Sequence, residues 1–412
     1  MPKAFLFDLD MTLVNSSALE GLRRVGLWDE VLKNCHRITP FIPIVGFPPH
    51  ELPGQLRSKG FKVGIVTSSI RRYAAAVIKQ FRISYDTLVT YEDTAQHKPD
   101  PEPIQLAMQH LGIAPADGVY VGDAPTDFEA AYHAGLWSIG VGWANVDWGR
   151  LGPNAPDMML HTPKLLLKSD KLPRQGYYGD VLFQNSIPSW HRGSLLKFNG
   201  MLSGFALGRY FATGDPRHAN GGLSAAILSL KDDDTHSKAF SSALIYALQH
   251  HNELSGFDFI TAVPPKPGMH RDRFQPILLD LSRISGVPRV VCDGLRCIKN
   301  YGDLKSITDP LARQEAVKGV FRTKYSWKTR KILLLDDVMT TGSTASECIR
   351  TLRRNGAVDV QVITLGKDQI ALTRKICSAC GRIMRIRKRG RDGVMFWGCS
   401  GYPTFCKHTE NA

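Results

Sequence analysis

The chain alternates short apolar runs with helical patterns along two long stretches, and this alternation limits the fold more than any other feature. In residues 1 to about 168, apolar runs of strand length alternate with segments of helical periodicity. The same pattern returns in residues 223 to 368. Strands that alternate with helices pair in parallel, because each crossover helix returns the chain to the same edge of the sheet. We therefore predict an α/β fold in both stretches, with functional side chains at the C-terminal ends of the strands.

The length of 412 residues predicts two or three domains, at about 100 to 200 residues for each. We assign the two α/β domains to residues 1–168 and 223–368. Residues 169–222 are rich in glycine, proline, serine and aromatic side chains, and we interpret them as a connector or hood. Residues 373–412 are too few and too polar to fold on a hydrophobic core alone, so this segment needs a cross-link such as a bound metal to stabilise it.

No run of the sequence approaches the roughly 20 apolar residues that a membrane helix requires. The N-terminus carries acidic residues where a signal peptide has its apolar core, so we expect a soluble, cytoplasmic protein with no membrane partner. The formal net charge is +14. Residues 374–412 hold nine Lys or Arg residues against two acidic ones, a local net charge of +7. A basic tail on a mildly charged body predicts a polyanionic partner.

The first apolar run ends in two aspartates, Asp8 and Asp10, whose side chains leave the strand on the same side because they are two residues apart. One carboxylate can attack a phosphorus atom while the other protonates the leaving oxygen. Later strand ends add a hydroxyl, an ammonium group and a second acidic pair: Thr67, Lys98, Asp123 and Asp127. The alternative, that Asp8 and Asp10 are solvated loop carboxylates, does not explain why four such elements occur in order.

This set of motifs resembles the haloacid dehalogenase superfamily over about 168 residues. The resemblance implies that Asp8 is the nucleophile, which forms an aspartyl-phosphate, and that Asp10 is the general acid and base. It also implies that Thr67 and Lys98 bind the transferring phosphoryl group. An acid at the position of Asp10 favours a phosphatase, although mutases of the superfamily share it.

The resemblance also implies a bound magnesium ion. Its ligands would be Asp8, the backbone carbonyl of Asp10 and Asp123, with Asp127 as the second member of the acidic pair. The metal would neutralise charge that the acidic groups and a phosphate would otherwise crowd together.

Two features depart from the usual pattern of that superfamily. Met11 stands where the family usually has glycine. The interval between the first two motifs is short and leaves only about residues 16–40 for a cap over the site. A small cap screens the site less, so we expect that a bulky or polymeric phosphorylated substrate could enter.

A second motif follows the apolar run KILLL, where two acids precede a loop of small residues and the start of a helix. Backbone N–H groups of the loop can wrap a phosphate at the helix N-terminus, where the helix dipole adds positive charge. The loop residues are Thr340, Thr341, Gly342, Ser343 and Thr344. Asp336 and Asp337 would then face a neighbouring diol. A plain strand-to-helix turn is the alternative.

The second motif resembles the type I phosphoribosyltransferases, and its surroundings resemble their ComF-type branch, which carries a basic Arg-Phe segment ahead of the loop. The resemblance implies that the domain binds phosphoribosyl pyrophosphate or a nucleotide, with Lys266 near the pyrophosphate. Arg271, Arg273 and Lys299 are weaker candidates, since each is as readily a solvated surface charge. A sensor that only binds the ligand would keep the same groups, so the sequence leaves sensor and transferase open.

Four of the eight cysteines lie near the C-terminus in two pairs, with the spacing C-x2-C-x18-C-x6-C. These are Cys377, Cys380, Cys399 and Cys406. Two pairs of thiolates on two turns form a closed tetrahedral site that suits structural zinc, and the metal supplies the folding free energy that this short segment lacks. An accidental cluster of thiols is the alternative.

The basic segment around these cysteines alternates cations with aromatic residues. Cations bind phosphates and aromatic rings stack on unpaired bases, so the segment suits single-stranded DNA or RNA. The candidate nucleic-acid-binding residues are Arg385, Arg387, Lys388, Arg389, Phe396, Trp397 and Tyr402. The ending GCSGYPTFCKHT resembles the zinc ribbons at the C-terminus of bacterial type IA topoisomerases. The alternative is a ribbon that docks another domain, with the aromatic residues as its own small core.

The three motifs predict a three-part protein: a phosphatase of the haloacid dehalogenase type, a phosphoribosyltransferase-like domain and a nucleic-acid-binding zinc ribbon. One hypothesis is a two-step enzyme that acts on a phosphorylated small molecule, a nucleotide or nucleic-acid ends. The other is a sensor tethered to nucleic acid, in which the second domain binds its ligand and gates the phosphatase. Stress response, repair and defence against foreign DNA are settings that such a fusion would fit.

Overall fold

The computed structural model describes residues 2–42, 46–168, 176–184, 194–302, 304, 307, 309–372, 375–380, 383–389, 394–399 and 406–411. The chain divides into two compact units. The first comprises Met1–Val146, Pro156–Pro173 and Leu372–Ala412, and the second comprises Asp147–Ala155 and Arg174–Ala371. No helix among the described residues is long and apolar enough to cross a membrane.

The first unit is built on a six-stranded parallel sheet, and the α/β fold predicted for this part of the chain is confirmed. The strands are β1 (Ala4–Phe7), β2 (Lys62–Val66), β3 (Thr87–Val89), β4 (Gly118–Gly122), β5 (Trp137–Val141) and β6 (Met158–Leu160). Their order across the sheet is β3-β2-β1-β4-β5-β6. The C-terminal ends of β2, β1 and β4 therefore meet at one edge of the sheet.

Two hydrophobic cores lie on opposite faces of this sheet, because alternate residues of β1 point to opposite sides. Phe5 and Phe7 pack into one core, and Ala4 and Leu6 into the other. The helices of this unit are α1 (Glu20–Arg24), α2 (Trp28–Lys33), α3 (Leu52–Ser58), α4 (Arg71–Phe81), α5 (Glu102–Leu111) and α6 (Pro125–Ala134). The short helices α1 and α2 occupy the interval in which we expect a small cap.

The second unit contains a second, mostly parallel sheet. In chain order its strands are β7 (Leu196–Phe198), β8 (Gly204–Ala206), β9 (Arg209–Tyr210), β10 (Phe259–Ala262), β11 (Arg289–Val290), β12 (Arg296–Cys297), β13 (Phe321–Arg322), β14 (Lys331–Met339) and β15 (Asp359–Asp368). The sheet order is β11-β10-β14-β15-β8-β7, with β9 also on β15, and β12 pairs with β13 separately. Within the described strands of the large sheet, β7 alone runs antiparallel to its neighbour.

Helices connect the strands of the second unit. They are α7 (Trp148–Leu151), α8 (Tyr178–Gln184), α9 (Pro216–Gly221), α10 (Leu223–Ser229), α11 (Ser237–His250), α12 (Gln275–Ser282), α13 (Pro310–Ala316) and α14 (Ser343–Arg354). The amphipathic helix α14 begins directly after the loop that follows β14, as the predicted strand, loop and helix require.

Part of the segment that we interpreted as a connector or hood belongs to the second sheet. Residues 196–210 supply β7, β8 and β9, and β8 pairs with the middle of β15. These strands are only two or three residues long, so they carry no alternation of apolar and polar residues that would reveal them in the sequence. Residues 147–155, which we assigned to the first domain, also belong to the second unit.

The C-terminal segment forms a four-stranded antiparallel sheet of β16 (Lys375–Ile376), β17 (Ile383–Lys388), β18 (Met395–Cys399) and β19 (Thr409–Asn411). Among its described side chains the core is small: Cys377, Met384 and Cys399 are buried, and Trp397 and Cys406 pack against them half-buried. A core of this size fits the expectation that the segment needs a cross-link such as a bound metal to stabilise it.

Candidate functional site

A buried ion-pair cluster lies at the C-terminal edge of the first sheet, where Asp8 directly follows β1. Lys98 Nζ lies 2.6 Å from Asp8 Oδ1 and 2.7 Å from Asp127 Oδ1. The same ammonium donates to the hydroxyl of Tyr120 at 3.0 Å and contacts the carbonyl of Val66 at 3.3 Å. Lys98 therefore holds together two carboxylates that β1 and α6 bring from distant parts of the sequence.

Three carboxylates converge at this edge. One oxygen each of Asp8, Asp123 and Asp127 lies within 4.8 Å of the others. Asp127 Oδ2 also accepts the backbone N–H groups of Asp123 at 3.2 Å and Ala124 at 3.0 Å, which fixes its orientation. Carboxylate oxygens are the ligands that Mg²⁺ prefers, so the side chains present fit a magnesium ion.

The side chain of Asp10 lies outside this group of three. Its Oδ2 accepts the hydroxyl of Ser69 at 2.7 Å and its Oδ1 accepts the hydroxyl of Tyr73 at 2.7 Å. Arg23 completes the set, with Nη1 2.8 Å from Asp10 Oδ2. Asp10 is one of the predicted magnesium ligands, but its side chain does not join the three carboxylates. The resemblance assigns only its backbone carbonyl to the metal.

The electrostatics of the site favour an added cation. Burial raises the pKa of Asp8 to about 7, Lys98 opposes this shift, and the charges of Asp127 and Asp10 add to it. Burial likewise raises the pKa of Asp123, and the charge of Asp127 adds to that effect. Burial alone would lower the pKa of Lys98, but the two carboxylates beside it raise the value. A divalent cation would relieve this excess of negative charge.

Two threonines line the same edge. Thr67 follows β2, is buried, and accepts the backbone N–H of Ser69 on its Oγ1 at 3.1 Å. Thr12 was not among the predicted residues, and its hydroxyl donates to Asp123 Oδ1 at 3.2 Å. Thr67 therefore lies in the same loop as Ser69, which donates to Asp10. Thr12 orients Asp123, one of the three carboxylates.

The backbone explains two residue choices near the cluster. Met11 has φ 59°, a left-handed conformation that favours glycine, which accounts for the glycine that the superfamily usually has there. A Cβ atom on Gly122 would lie 2.5 Å from Asp127 Oδ2. The close approach of Asp127 to the end of β4 therefore requires glycine at that position.

The second predicted site lies at the C-terminal end of β14. Arg273 Nη1 lies 3.1 Å from Asp337 Oδ2, and Arg273 Nη2 lies 3.9 Å from Asp336 Oδ1. Burial raises the pKa of Asp336 to about 8, the charge of Asp337 adds to the shift, and Arg273 opposes it. Arg273 is thus a partner of the acidic pair.

The predicted phosphate loop connects β14 to α14. Gly342 has φ 77° and precedes the first residue of the helix, and its carbonyl accepts the N–H of Ser346 at 2.8 Å. The hydroxyls of Thr341 and Ser343 lie 3.2 Å apart. Thr340 is exposed and Thr344 is half-buried. The left-handed glycine lets the backbone turn tightly into the helix, as a loop that approaches a phosphate requires.

The basic residues predicted near this loop differ in their surroundings. Lys266 Nζ donates to the carbonyls of Tyr301 at 2.9 Å and Gly302 at 3.1 Å. Arg271 forms an ion pair with Asp234. Lys299 is exposed. Lys266 is therefore held by the backbone of a neighbouring loop and does not contact the acidic pair.

The four predicted zinc ligands come together in the ribbon. Cys377 Sγ and Cys406 Sγ are 3.8 Å apart, Cys380 Sγ and Cys399 Sγ are 3.4 Å apart, and all four sulfur atoms lie within 4.8 Å of one another. A tetrahedral zinc with bonds of about 2.3 Å separates its sulfur ligands by about 3.8 Å. The donor set and the spacing therefore fit a structural zinc ion.

Those of the predicted nucleic-acid-binding residues that the structure describes lie on β17 and β18 or next to them. Arg385, Arg387 and Lys388 belong to β17. Arg389 is exposed, and its Cζ lies 5.7 Å from the ring centre of Phe396. Trp397 packs against the buried cysteines, so this ring serves the ribbon's own core. Tyr402 lies outside the described residues.

The comparison with known protein families finds a match within the first unit. The family model of haloacid dehalogenase-like hydrolases matches residues 50–141. Pyrophosphatase PpaX of Bacillus velezensis is 36% identical over 120 residues, which cover 29% of this chain and 56% of that protein. Pyrophosphatase PpaX of Bacillus pumilus is 37% identical over 107 residues, which cover 26% and 50% of the two chains. The match thus spans about half the length of these curated relatives.

A solved HAD phosphatase from Thermococcus onnurineus aligns with 40% of this chain and 97% of its own, with 22% identity and a TM-score of 0.33. A hydrolase from Pseudomonas syringae aligns with 42% and 99%, with 22% identity and a TM-score of 0.34. The family match and the PpaX relatives identify the N-terminal region of the chain as a haloacid dehalogenase-like hydrolase domain.

Proposed function

We propose that the N-terminal domain is a magnesium-dependent phosphohydrolase with Asp8 as its nucleophile and Asp10 as its general acid and base. The observation that carries this proposal is the different setting of two carboxylates only two residues apart. Asp8 faces Lys98, Asp123 and Asp127, whereas the side chain of Asp10 is held by neutral hydroxyls and an arginine. Two carboxylates in different environments suit two different tasks.

In the proposed reaction an oxygen of Asp8 attacks phosphorus, and the bond from phosphorus to the leaving oxygen breaks. Asp10 gives its proton to that oxygen and later takes one from the water that hydrolyses the aspartyl-phosphate. Lys98 and Thr67 would bind the transferring phosphoryl oxygens. Asp8 and Asp123 would hold the magnesium ion, which lowers the repulsion between the nucleophile and the phosphate when it is bound.

Pyrophosphate is the first substrate to test, because the curated relatives of this domain are named pyrophosphatases. A phosphoribosyl transfer in the second unit would release pyrophosphate from phosphoribosyl pyrophosphate. Hydrolysis of that pyrophosphate by the N-terminal domain would draw the transfer towards products, which gives the fusion a chemical reason. The test is release of inorganic phosphate from pyrophosphate and from p-nitrophenyl phosphate, with magnesium and with excess chelator. If neither substrate is hydrolysed with magnesium present, the proposal is wrong.

We expect Tyr73→Phe to lower kcat by about 10-fold, because Asp10 loses a hydrogen bond to a charged group, worth roughly 1.5 to 3 kcal/mol. The ring is fully buried and packs 5.8 Å from the ring of Trp28, so the fold should be kept. The control is Tyr85→Phe, since the side chain of Tyr85 is exposed. Steady-state kinetics check this result, and an unchanged kcat in Tyr73→Phe would show that its hydroxyl has no part in positioning Asp10.

For the second unit we propose binding of phosphoribosyl pyrophosphate, with the ribose hydroxyls on Asp336 and Asp337 and the 5-phosphate on the loop around Gly342. The support is the acidic pair at the strand end, followed by a glycine in the left-handed conformation at the start of α14. Arg273 pairs with both acids, so the ligand would have to displace it or share them.

Changing both Asp336 and Asp337 to Asn should weaken binding of phosphoribosyl pyrophosphate by about 10-fold or more, because the diol loses charged acceptors while the loop remains. Titration calorimetry measures this change. Asp359→Asn is the control, because Asp359 begins β15 and so lies at the opposite edge of the parallel sheet. Wild-type protein that binds no ligand at millimolar concentration would contradict the proposal.

The transferase and sensor hypotheses differ in whether the bound ligand is consumed. The Asp8→Asn variant is the background in which to test this, because pyrophosphate released by the second unit would then accumulate. A transferase releases pyrophosphate when a suitable base is supplied, whereas a sensor binds phosphoribosyl pyrophosphate and leaves it intact.

We propose further that the ribbon holds zinc and binds single-stranded nucleic acid, on the support of its four close thiolates and its basic strand β17.

A further inference from the structure

The small cap places an arginine on the proposed general acid. Arg23 lies on α1, and its Nη1 is 2.8 Å from Asp10 Oδ2. The side chain is 16% exposed, and its Nη2 donates to the hydroxyl of the buried Ser16 at 3.1 Å. Arg23 was not among the predicted site residues. Its position is not that of a solvated surface charge, because it reaches into the site from the cap.

The guanidinium of Arg23 has one N–H donor that is not used in a hydrogen bond to any described group. Its Nε is buried and has no hydrogen-bond partner in the described part of the chain. Lys98 differs, because its ammonium already contacts four oxygen atoms, on Asp8, Asp127, Tyr120 and Val66. A buried N–H without an acceptor costs free energy unless a ligand supplies one. Of these two cations at the site, Arg23 is the one with a donor that no described group satisfies.

The location of Arg23 decides which part of a substrate it would meet. A general acid must lie beside the oxygen of the departing group, so a cation bound to Asp10 lies beside that group as well. Lys98 lies with the nucleophile and the metal-binding carboxylates, on the side of the transferring phosphoryl group. The site therefore offers one cation to each side of the bond that breaks.

We propose that Arg23 binds an anionic leaving group, so that the substrates of the N-terminal site are phosphoric anhydrides, such as pyrophosphate or a nucleoside diphosphate. This inference rests on the proposed phosphohydrolase function and names its substrate class. A planar guanidinium with several donors is well suited to a phosphate, which it can hold with two hydrogen bonds. An ester whose leaving group is an uncharged alcohol gains little from the same contact.

Pyrophosphate and water would react at this site in two steps. Asp8 bonds to one phosphorus, the bridging P–O bond breaks, and its electron pair stays on the departing phosphate, which takes the proton of Asp10. Arg23 neutralises the charge that grows on that phosphate. Water then hydrolyses the aspartyl-phosphate and returns a proton to Asp10, so that pyrophosphate and water yield two phosphates.

The test compares Arg23→Met with the wild-type full-length protein on pyrophosphate, ADP and glycerol 2-phosphate, in excess magnesium. Each substrate is its own reference, so differences in intrinsic reactivity cancel. We expect kcat/KM to fall on all three substrates, because Asp10 loses an ion-pair partner, and to fall about 10-fold further on the two anhydrides than on glycerol 2-phosphate. An equal fall on all three substrates would show that Arg23 only positions Asp10, and no fall would show that it has no role; either result overturns the inference.

A second measurement needs no variant and covers the case in which Arg23→Met does not fold. Methylenediphosphonate and methylphosphonate are compared as competitive inhibitors of glycerol 2-phosphate hydrolysis by the wild-type protein. We expect the diphosphonate to bind about 10-fold more tightly, because its second phosphonate meets Arg23. Equal inhibition overturns the inference, as does a wild-type protein that hydrolyses glycerol 2-phosphate but neither anhydride. A protein that hydrolyses none of the three contradicts the proposed function itself.

Discussion

Replacing Asp8 with Asn is expected to lower kcat for pyrophosphate and for p-nitrophenyl phosphate by about 1,000-fold or more, because an amide cannot form the covalent phosphoryl intermediate. The fold should survive this change. Asn has nearly the same size and shape as Asp, so the packing around this position is kept. Steady-state kinetics and the thermal unfolding midpoint, measured on the same preparation, check both parts.

Asp117→Asn is the matched control for that experiment. Asp117 directly precedes β4, whereas Asp123 directly follows it, so the two residues lie at opposite edges of the sheet. Its carboxylate pairs at 2.9 Å with the largely exposed side chain of Lys3. The control should keep full activity. An Asp8→Asn protein that retained more than a few per cent of the activity would contradict the role of Asp8, whatever the control shows.

Changing Cys380 and Cys399 together to Ser is expected to remove bound zinc and to unfold the ribbon, since among its described side chains the buried core contains little besides the cysteines and Met384. Affinity for single-stranded DNA or RNA should fall by about 10-fold or more, because ordered aromatic stacking is lost while the charges remain. Turnover of a small phosphate ester should stay within a few-fold. Metal analysis, fluorescence anisotropy and an activity assay on the full-length protein measure the three effects.

Cys292→Ser provides the control, because Cys292 is exposed and lies outside the cysteine cluster. Binding by the wild-type protein should also weaken with salt, with a slope of about −0.7 in log K against log salt for each phosphate neutralised. If the double variant lost zinc and still bound nucleic acid with unchanged affinity, the ribbon would be a docking element. Trp397 is half-buried and packs on the cysteines, so it already contributes to the ribbon's own core.

The sequence was sufficient to anticipate the carboxylate cluster of the first unit. Asp8 and Asp123 each follow a recognisable apolar run, and parallel strands deliver their C-terminal ends to one edge of a sheet. The order of the motifs along the sequence was the reason to assign Lys98 and Asp127 to the same cluster. The four cysteines could be anticipated in the same way, because their pairwise spacing requires only two turns that face each other.

The sequence did not reveal the groups that hold Asp10. Tyr73 lies 63 residues from Asp10 and Ser69 lies 59 residues away. Tyr73 reads in the sequence as one apolar position of an amphipathic helix, and Arg23 as one charge of a short helix. Only Ser69 gave a signal, since it follows Thr67 by two residues in the same strand-end loop.

What the sequence by itself determined, then, was the class of fold in the first unit and the residues placed at its strand ends, because strand ends carry a local signal of apolar run, acid and turn. The tertiary structure decided which side chains meet Asp10, that Arg273 pairs with Asp336 and Asp337, and that residues 196–210 extend the second sheet. These contacts join residues from separate elements. They depend on how helices pack and how very short strands pair, and no local pattern of residues encodes either.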